Sequence, residues 1–352
     1  MNISAASTAA YSTDRSTWRA LSLGLLLLLS IWSGMTNAAS AKSRKAHEFV
    51  AAPQEVAVGF YPNMFHSLNQ QNSTFYADLY LWMRWKGEND PTATAEFVNN
   101  VEKWGFTATR IYEKPLRLKD GQSLQQLHVQ GQFFQPLSLH DYPLDKHELS
   151  IVIEDSTFPV DARVYKEDAG QSHLDSGIVL PGWKITDWKI SAGPHVYATD
   201  FGAASNEKRS AYSTIRFTLA VERPLNFFIW KLLLPLAIVL LLGCSALFVH
   251  PSYSDARLAA PAAALLSLVF LQQTYSSTLP EVGYLVLLDK IYALAYAVVL
   301  LLMVSTIVTS STVRTDDASK IARAVVVDRI VVAAILLVFS VGTLWLIVNR
   351  AA

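Results

Sequence analysis

Hydrophobic and polar residues alternate with a period of two through the middle of the chain. The clearest run is Thr74–Lys86, where apolar residues at odd positions are interleaved with polar or aromatic residues at even positions. Similar alternation recurs at 149–153 and 215–221, and turn signals such as Pro181-Gly182 separate the runs. Period two indicates half-buried strands, and short strands between turns favour an antiparallel sandwich. We therefore predict an all-β, immunoglobulin-like sandwich over 55–222.

One irregularity in this alternation predicts a β-bulge. Trp183 and Ile185 lie in one phase of the alternation, whereas Trp188 and Ile190 lie in the other. A single extra residue between the two pairs would bring all four side chains back to one face of the strand.

Four long apolar runs follow Pro224. Each run is long enough, or nearly so, to cross a bilayer as a helix. We therefore predict a membrane domain over residues 223–352. Its helices would span roughly 227–249, 256–279, 284–309 and 328–349. The third connection, 310–329, holds four basic residues, Arg314, Lys320, Arg323 and Arg329, whereas the second holds Glu281 alone. Positive charge concentrates on cytoplasmic loops, so we expect the sandwich and the C-terminus on the outer side of the membrane.

The N-terminus has the pattern of an export signal. Arg15 and Arg19 precede a short apolar run, Leu21–Trp32, and small residues follow at Ala39–Ala41. This order is typical of a secretory signal peptide, and the apolar run is short for a membrane span. We predict a cleaved signal at 1–41, with an uncleaved anchor helix as the alternative, and a linker at 42–54. The mature protein then lies in the bacterial inner membrane, with the sandwich in the periplasm.

Composition narrows the classes of function. The chain has 352 residues, 51% of them hydrophobic, and its 29 basic and 29 acidic residues balance. A basic excess that would indicate a nucleic-acid partner is absent from the sequence. Cys244 is the single cysteine, which excludes an intramolecular disulfide. The sequence also holds no nucleophile elbow, metal motif or phosphate loop, so we predict neither enzymatic activity nor a cofactor.

The second apolar run has a polar end that suggests a pore. Residues spaced by three or four lie on one face of a helix, and this face reads Asp255, Ala259, Ala263, Leu266, Phe270, Gln273, Ser277. Several copies around an axis would form a carboxylate ring at Asp255, which favours cations, and a hydrophobic gate at Leu266 and Phe270. The alternative is that the apolar residues are ordinary packing residues and Asp255 is a solvated loop charge.

Several segments resemble one family in order. Residues 135–156, QPLSLHDYPLDKHELSIVIEDS, resemble the signature loop of Cys-loop receptors, with Tyr142-Pro143-Leu144-Asp145 at its centre and Gln135 and Leu149 where animal receptors have cysteines. The segments TFYADLYLWMRWKG, LPGWKITDW and SDARLAAPAAALL, and Thr278–Glu281, resemble further parts of that family. The chain is similar to prokaryotic pentameric ligand-gated ion channels, which lack the disulfide. The resemblance implies a homopentamer of identical subunits in membrane lipid, with ligand sites between subunits and a pore lined by the second helix.

The resemblance also implies two groups of site residues. Coupling residues at the junction of sandwich and membrane would be Asp145 and Arg223, which would pair, with Tyr142, Pro143, Pro280 and Glu281. Ligand residues would be Tyr80, Trp82, Glu154, Phe158, Tyr197 and Phe201. Aromatic residues in such a pocket can hold amines by cation–π attraction. The sequence departs from the family between Trp85 and Phe97, where the Trp-x-Pro element that forms one wall of the pocket is missing. The identity of the agonist is therefore left open.

The predicted function is a cation-selective channel opened by an unidentified periplasmic ligand. The alternative is a non-conducting receptor of the same architecture, because Ala259 and Ala263 stand where the family usually has Ser or Thr. The sequence identifies no metal ligands. Modulation by a divalent cation through scattered acidic residues stays an alternative, the residues being Asp141, Glu154, Asp155, Asp161, Glu167 and Asp168. We expect most of the scattered histidines to be surface residues.

Overall fold

The computed structural model describes residues 52–101, 104–199, 201–202, 210–313 and 318–351. The predicted signal peptide and most of the predicted linker lie outside the described residues. In the described part, a sheet-rich domain is followed by four membrane-length helices. The predicted fold class is thereby confirmed.

Two β-sheets make up the first domain. The strands are β1 (Gln54–Asn69), β2 (Thr74–Trp85), β3 (Ala95–Phe97), β4 (Thr107–Arg110), β5 (Leu116–Arg117), β6 (Ser123–Phe134), β7 (Lys146–Pro159), β8 (Arg163–Glu167), β9 (Lys184–Val196) and β10 (Ala211–Glu222). One sheet has the order β4-β6-β2-β1-β8 with β5 beside β6, and the other has the order β3-β7-β10-β9. The pairs are antiparallel except for β1 with β8.

The alternation along the strands sets which side chains enter the core. Leu79, Leu81 and Met83 of β2 are fully buried, whereas Tyr80 and Trp82 between them are only partly buried on the opposite face. The inward side chains of both sheets form one apolar cluster. The bulge predicted in β9 is confirmed, because the pairing of β9 with β10 shifts between Ala220 and Val221 and skips one residue of β9.

The four helices are α1 (Phe227–Phe248), α2 (Ser254–Ser276), α3 (Leu287–Thr312) and α4 (Ala318–Val348). In α1 a wide π-helical segment, Phe227–Leu233, precedes Pro235, whose ring nitrogen cannot donate a helical hydrogen bond. The helix α4 begins at Ala318, well before the predicted start at residue 328. The prediction began too late because the first turns of α4 carry charged residues. A hydropathy pattern detects the apolar part of a helix and not its polar extension.

The helix α3 holds the bundle together. Its buried side chains include Ile291, Ala295 and Val299, which belong to an apolar cluster shared with α1, α2 and α4. Leu139 and Tyr142 of the sandwich join the same cluster. Apolar packing therefore continues from the bundle into the loop before β7, which places this loop on the helices.

Candidate functional sites

Strand pairing brings Asp145 and Arg223 together. The last ladder pair of β7 and β10 joins Lys146 to Glu222, so the residues just outside it, Asp145 and Arg223, also lie opposite each other. The Arg223 backbone N–H donates to the Asp145 carbonyl at 3.2 Å. Arg223 Nε donates to Asp145 Oδ1 at 2.7 Å, and Nη2 donates to Oδ2 at 3.2 Å. The side chains are 8% and 1% exposed, so this bidentate pair is almost dry.

Two further donors complete the shell of Asp145. Its Oδ2 lies 2.7 Å from His147 Nε2 and 3.2 Å from Gln70 Nε2 of the turn after β1. Burial on its own would raise the pKa of Asp145, but the hydrogen bonds of His147 and Arg223 and the charge of Arg223 lower the pKa to about 2. The carboxylate therefore stays ionised at neutral pH. His147 is only 6% exposed, so the expectation of a surface residue is wrong for this histidine.

Aromatic rings surround the other partner. The Arg223 guanidinium carbon lies 4.3 Å from the centroid of the Trp183 ring, 5.0 Å from that of Tyr142 and 5.1 Å from that of Phe227. These rings come from the segment before β9, the loop before β7 and the start of α1. Cation–π attraction adds to the ion pair in such a cage. Arg223 thus ties the loop before β7 and the segment before β9 to the beginning of the first membrane helix.

Direct contacts join the sandwich to α2 and α3. Gln71 Nε2 donates to the Ser277 carbonyl, next to the end of α2, at 2.6 Å. The Tyr142 ring stacks 6.5 Å from the Tyr275 ring, and the Tyr142 carbonyl accepts from Leu288 N at 3.1 Å. The His140 ring stacks at 3.8 Å on Tyr284. The turn after β1 and the loop before β7 therefore both contact the end of α2 or the start of α3.

Three predicted coupling residues lie beside these contacts. Pro143 is buried between Tyr142 and Leu144. Pro280 and Glu281 line a cavity of about 440 Å³ at the ends of α2 and α3, together with Tyr275 and Asp289. Within the described residues, no hydrogen bond or ion pair from the sandwich reaches Pro280 or Glu281. The hydrogen bonds run instead through Tyr142, which the sequence analysis named as a coupling residue, and through Gln71 and His140, which it did not name in this role.

The predicted pore face of α2 is the face that the other helices leave uncovered. All seven of its residues are exposed in the single chain, with Leu266 at 58% and Phe270 at 64%. The opposite stripe is buried against α1 and α3 and consists of Arg257, Pro261, Ala264, Leu268 and Tyr275. Asp255 lies at the helix start, and Gln273 and Ser277 lie near the end that contacts the sandwich. The face available to a neighbouring copy or a pore is thus acidic, then apolar, then polar.

A carboxylate with aromatic neighbours lies at the other end of the sandwich. Thr214 of β10 is opposite Glu154 of β7 in the ladder, and its hydroxyl donates to Glu154 Oε2 at 3.0 Å. Tyr197 Oη donates to Glu154 Oε1 at 2.6 Å, and His195 Nδ1 lies 2.7 Å from Oε2. The Tyr197 ring is 4.9 Å from Phe201 and 6.0 Å from Tyr212. The hydrogen bond to Glu154, then burial and the charge of Glu154, raise the pKa of Tyr197 to about 12.

The other predicted ligand residues lie apart from this cluster. Phe158 stacks on Arg163, at 4.2 Å, and Arg163 is paired with the buried Asp155 at 2.7 Å. Tyr80 stacks on His128 on the outer face of the first sheet. Trp82 Nε1 donates to Asp168 Oδ2 at 2.9 Å, and Arg84 Nη2 lies 2.8 Å from the same oxygen. Among the described residues of one chain, the predicted ligand set is therefore divided into separate groups.

The acidic residues considered for a divalent cation are dispersed. Asp155 and Asp168 are ion-paired with Arg163 and Arg84. In the part of the chain that the structure describes, no group of three or more His, Cys, Asp or Glu side chains is placed to hold a metal ion.

Charges within the membrane helices were missed by the helical-wheel argument. Arg257 of α2 is fully buried, and its Nη2 lies 2.6 Å from Asp328 Oδ2 of α4. The signal was present in the sequence, since an ionisable residue inside an apolar run is costly and usually has a partner. Its partner is 71 residues away and could not be read from local spacing.

The chain has a distant relative among characterised proteins. No protein-family model matches it. It is similar to the gamma-aminobutyric acid receptor subunit beta of Lymnaea stagnalis, with 23% identity over 155 residues that make up 44% of this chain and 29% of that subunit. The match thus spans less than a third of the relative's length. This distant similarity, the sheet-rich domain and the four membrane-length helices agree with the resemblance carried by the sequence motifs.

Proposed function

We propose that this chain is one subunit of a homopentameric, ligand-gated, cation-selective ion channel in a bacterial inner membrane. The observation that carries the proposal is the uncovered face of α2, which changes from the acidic Asp255 through Leu266 and Phe270 to the polar Gln273 and Ser277. Five such faces around an axis would surround permeant cations with a carboxylate ring and a dry constriction. The similarity to a receptor subunit supports this assembly. The proposal requires no catalytic group and no cofactor.

The contacts at the junction supply a route for gating. The sandwich touches the end of α2 through Gln71 and the start of α3 through Tyr142. The Asp145–Arg223 pair holds the loop before β7 to the strand that leads into α1. A ligand that moves the sandwich would therefore act on the pore helix at the end opposite Asp255.

The cluster around Glu154 favours an organic cation as the ligand. A carboxylate with hydrogen-bonding hydroxyls and rings of Tyr197, Phe201 and Tyr212 offers both charge and π-faces to an ammonium group. Tyr80 and Trp82 lie on the other sheet, where they would complete the pocket from the neighbouring subunit. The outward orientation of the sandwich, which we expect from the positive-inside rule, would put this pocket in the periplasm.

Recording from membranes with the expressed chain tests this function, with a panel of primary and quaternary amines as agonists. We expect an amine-evoked cation current and, for Glu154→Gln, a loss of amine potency of about tenfold or more, because hydrogen bonds to charged groups contribute about 1.5–3 kcal/mol. Glu148→Gln is the matched control, since Glu148 lies on the same strand but is exposed and paired with Lys189. Equal potency loss in both variants, or none in either, would contradict the ligand site.

A further inference from the structure

The first turn of α2 carries two opposite charges that point in opposite directions. Asp255 is exposed and makes no ion pair with a described residue, whereas Arg257 is 0% exposed. Two residues correspond to about 200° around a helix and about 3 Å along it, so the two side chains leave on opposite sides at nearly the same height. The net charge at this end of the pore helix therefore depends on whether the positive charge of Arg257 is neutralised by a partner.

Three other segments bind the Arg257 guanidinium. Nη2 lies 2.6 Å from Asp328 Oδ2 of α4, and the two side chains are 0% and 2% exposed. Nε donates to the Ala246 carbonyl of α1 at 3.2 Å, and Nη1 is 3.4 Å from Ser310 Oγ of α3. Each of the guanidinium's three nitrogens thus has an acceptor on a different helix. The one negatively charged partner among these acceptors is Asp328.

We propose that Asp328 is a positioning residue for cation selectivity, because it neutralises Arg257 and holds it against the bundle. The inference rests on the proposed channel function. With the pair formed, the three charges of Asp255, Arg257 and Asp328 sum to −1 in each subunit, and the exposed one is Asp255. Without Asp328 the sum is zero. A freed arginine side chain would extend from the helix start toward water, as long basic side chains do near the ends of membrane helices.

The alternative role for such a pair is a brace that holds α4 to α2 and has no influence on ions. The two roles predict different results. A brace affects the amount of assembled protein and its stability, but the surviving channels would keep the selectivity set by Asp255. If Asp328 acts by neutralising Arg257, removal of the negative charge should lower the cation-to-anion permeability ratio. Removal of the positive charge should not lower that ratio.

The test is the cation-to-anion permeability ratio, measured from reversal potentials in a sodium chloride gradient, for the wild type, Asp328→Asn, Arg257→Gln and the double variant. We expect Asp328→Asn to lower the ratio about fivefold, the factor that one unit charge exerts at about 4 Å in water-like surroundings. Arg257→Gln should leave the ratio unchanged or raise it. The double variant, which restores the sum of −1, should return to within about twofold of the wild type.

Assembly is followed in parallel by size-exclusion chromatography of the detergent-purified oligomer. An unchanged ratio in conducting Asp328→Asn channels would overturn the inference and leave the proposed function standing. If Asp328→Asn does not assemble, a lowered ratio in Arg257→Gln would overturn it, since removing a positive charge cannot by itself disfavour cations. Absence of current from the wild type and from Leu266→Ala would refute the channel function and this inference together.

Discussion

Asp145→Asn removes the charge that holds Arg223 at the junction of sandwich and helices. The substitution keeps the size of the side chain and one hydrogen-bond acceptor, so the charge is the main change. It leaves Arg223, whose side chain is 8% exposed, without a carboxylate partner. We expect the folded protein to be destabilised, because a buried charge without its partner loses the attraction that offset its desolvation.

The burial of the pair and the pKa of Asp145 set the size of this destabilisation. The pKa of Asp145 is lowered from 3.8 to about 2, and at about 1.4 kcal/mol for each pH unit the native state favours the ionised carboxyl by about 2 kcal/mol. Breaking a buried pair by removing one partner costs about 3–5 kcal/mol. Three aromatic rings stay around Arg223 at 4.3–5.1 Å and offset part of this cost. We therefore expect a loss of about 3 kcal/mol.

Thermal unfolding of the purified oligomer, followed by tryptophan fluorescence, measures this loss. A destabilisation of this size corresponds to a decrease in melting temperature of roughly 5–10 °C. Asp141→Asn is the matched control, because it makes the same change in the same loop at a residue that has no ion pair with a described residue. A decrease no larger than that of the control would refute the account of the junction.

The pH dependence has a definite sign. Because the folded-state pKa of Asp145 is lowered, its contribution is complete above its ordinary value of 3.8 and is lost as pH falls toward about 2. Wild-type stability should therefore decrease through this interval by more than that of Asp145→Asn. Parallel pH curves for the two proteins would contradict the role of the carboxylate.

Two further predictions concern the gate and the first sheet. Leu266→Ala should increase the open probability, since a smaller side chain weakens the dry constriction. Single-channel recording measures this beside Leu265→Ala, the same change at a neighbouring residue of α2 that lies outside the predicted pore face. Equal effects of the two substitutions would place the gate elsewhere. Gly59→Ala should destabilise the sandwich by about 1–3 kcal/mol, because an added Cβ would lie 2.2 Å from Trp82 Cζ2. Thermal unfolding followed by tryptophan fluorescence measures this effect. Unchanged unfolding and fluorescence would show that the Trp82 indole does not pack against Gly59.

Local patterns in the sequence predicted the fold well. Period two in β2 separated the buried Phe75 and Leu79 from the outward Tyr80 and Trp82. The phase shift around Thr186 located a bulge, and the wheel of α2 selected the face that is exposed in the structure. These features depend on neighbours within a few residues, which is the range that periodicity reports.

Pairings between distant residues could not be predicted in the same way. The bond from Trp82 to Asp168 spans 86 residues, and the ion pair of Arg257 with Asp328 spans 71. Composition and spacing show that such charges need partners but not which partners they find. The pair of Asp145 with Arg223, 78 residues apart, was predicted through the family resemblance and not through spacing. His147 shows the same limit: its burial follows from its position beside Asp145 and Trp183, and histidine composition carries no information about it.

The most direct test of the central claim is the reversal potential of the amine-evoked current in the wild type and in Asp255→Asn, recorded in planar bilayers with the purified oligomer. The account predicts a cation-selective current whose permeability ratio falls in Asp255→Asn, because the exposed carboxylate ring at the start of α2 is lost. A current with the same cation preference in both proteins, or no current from either protein, would contradict it.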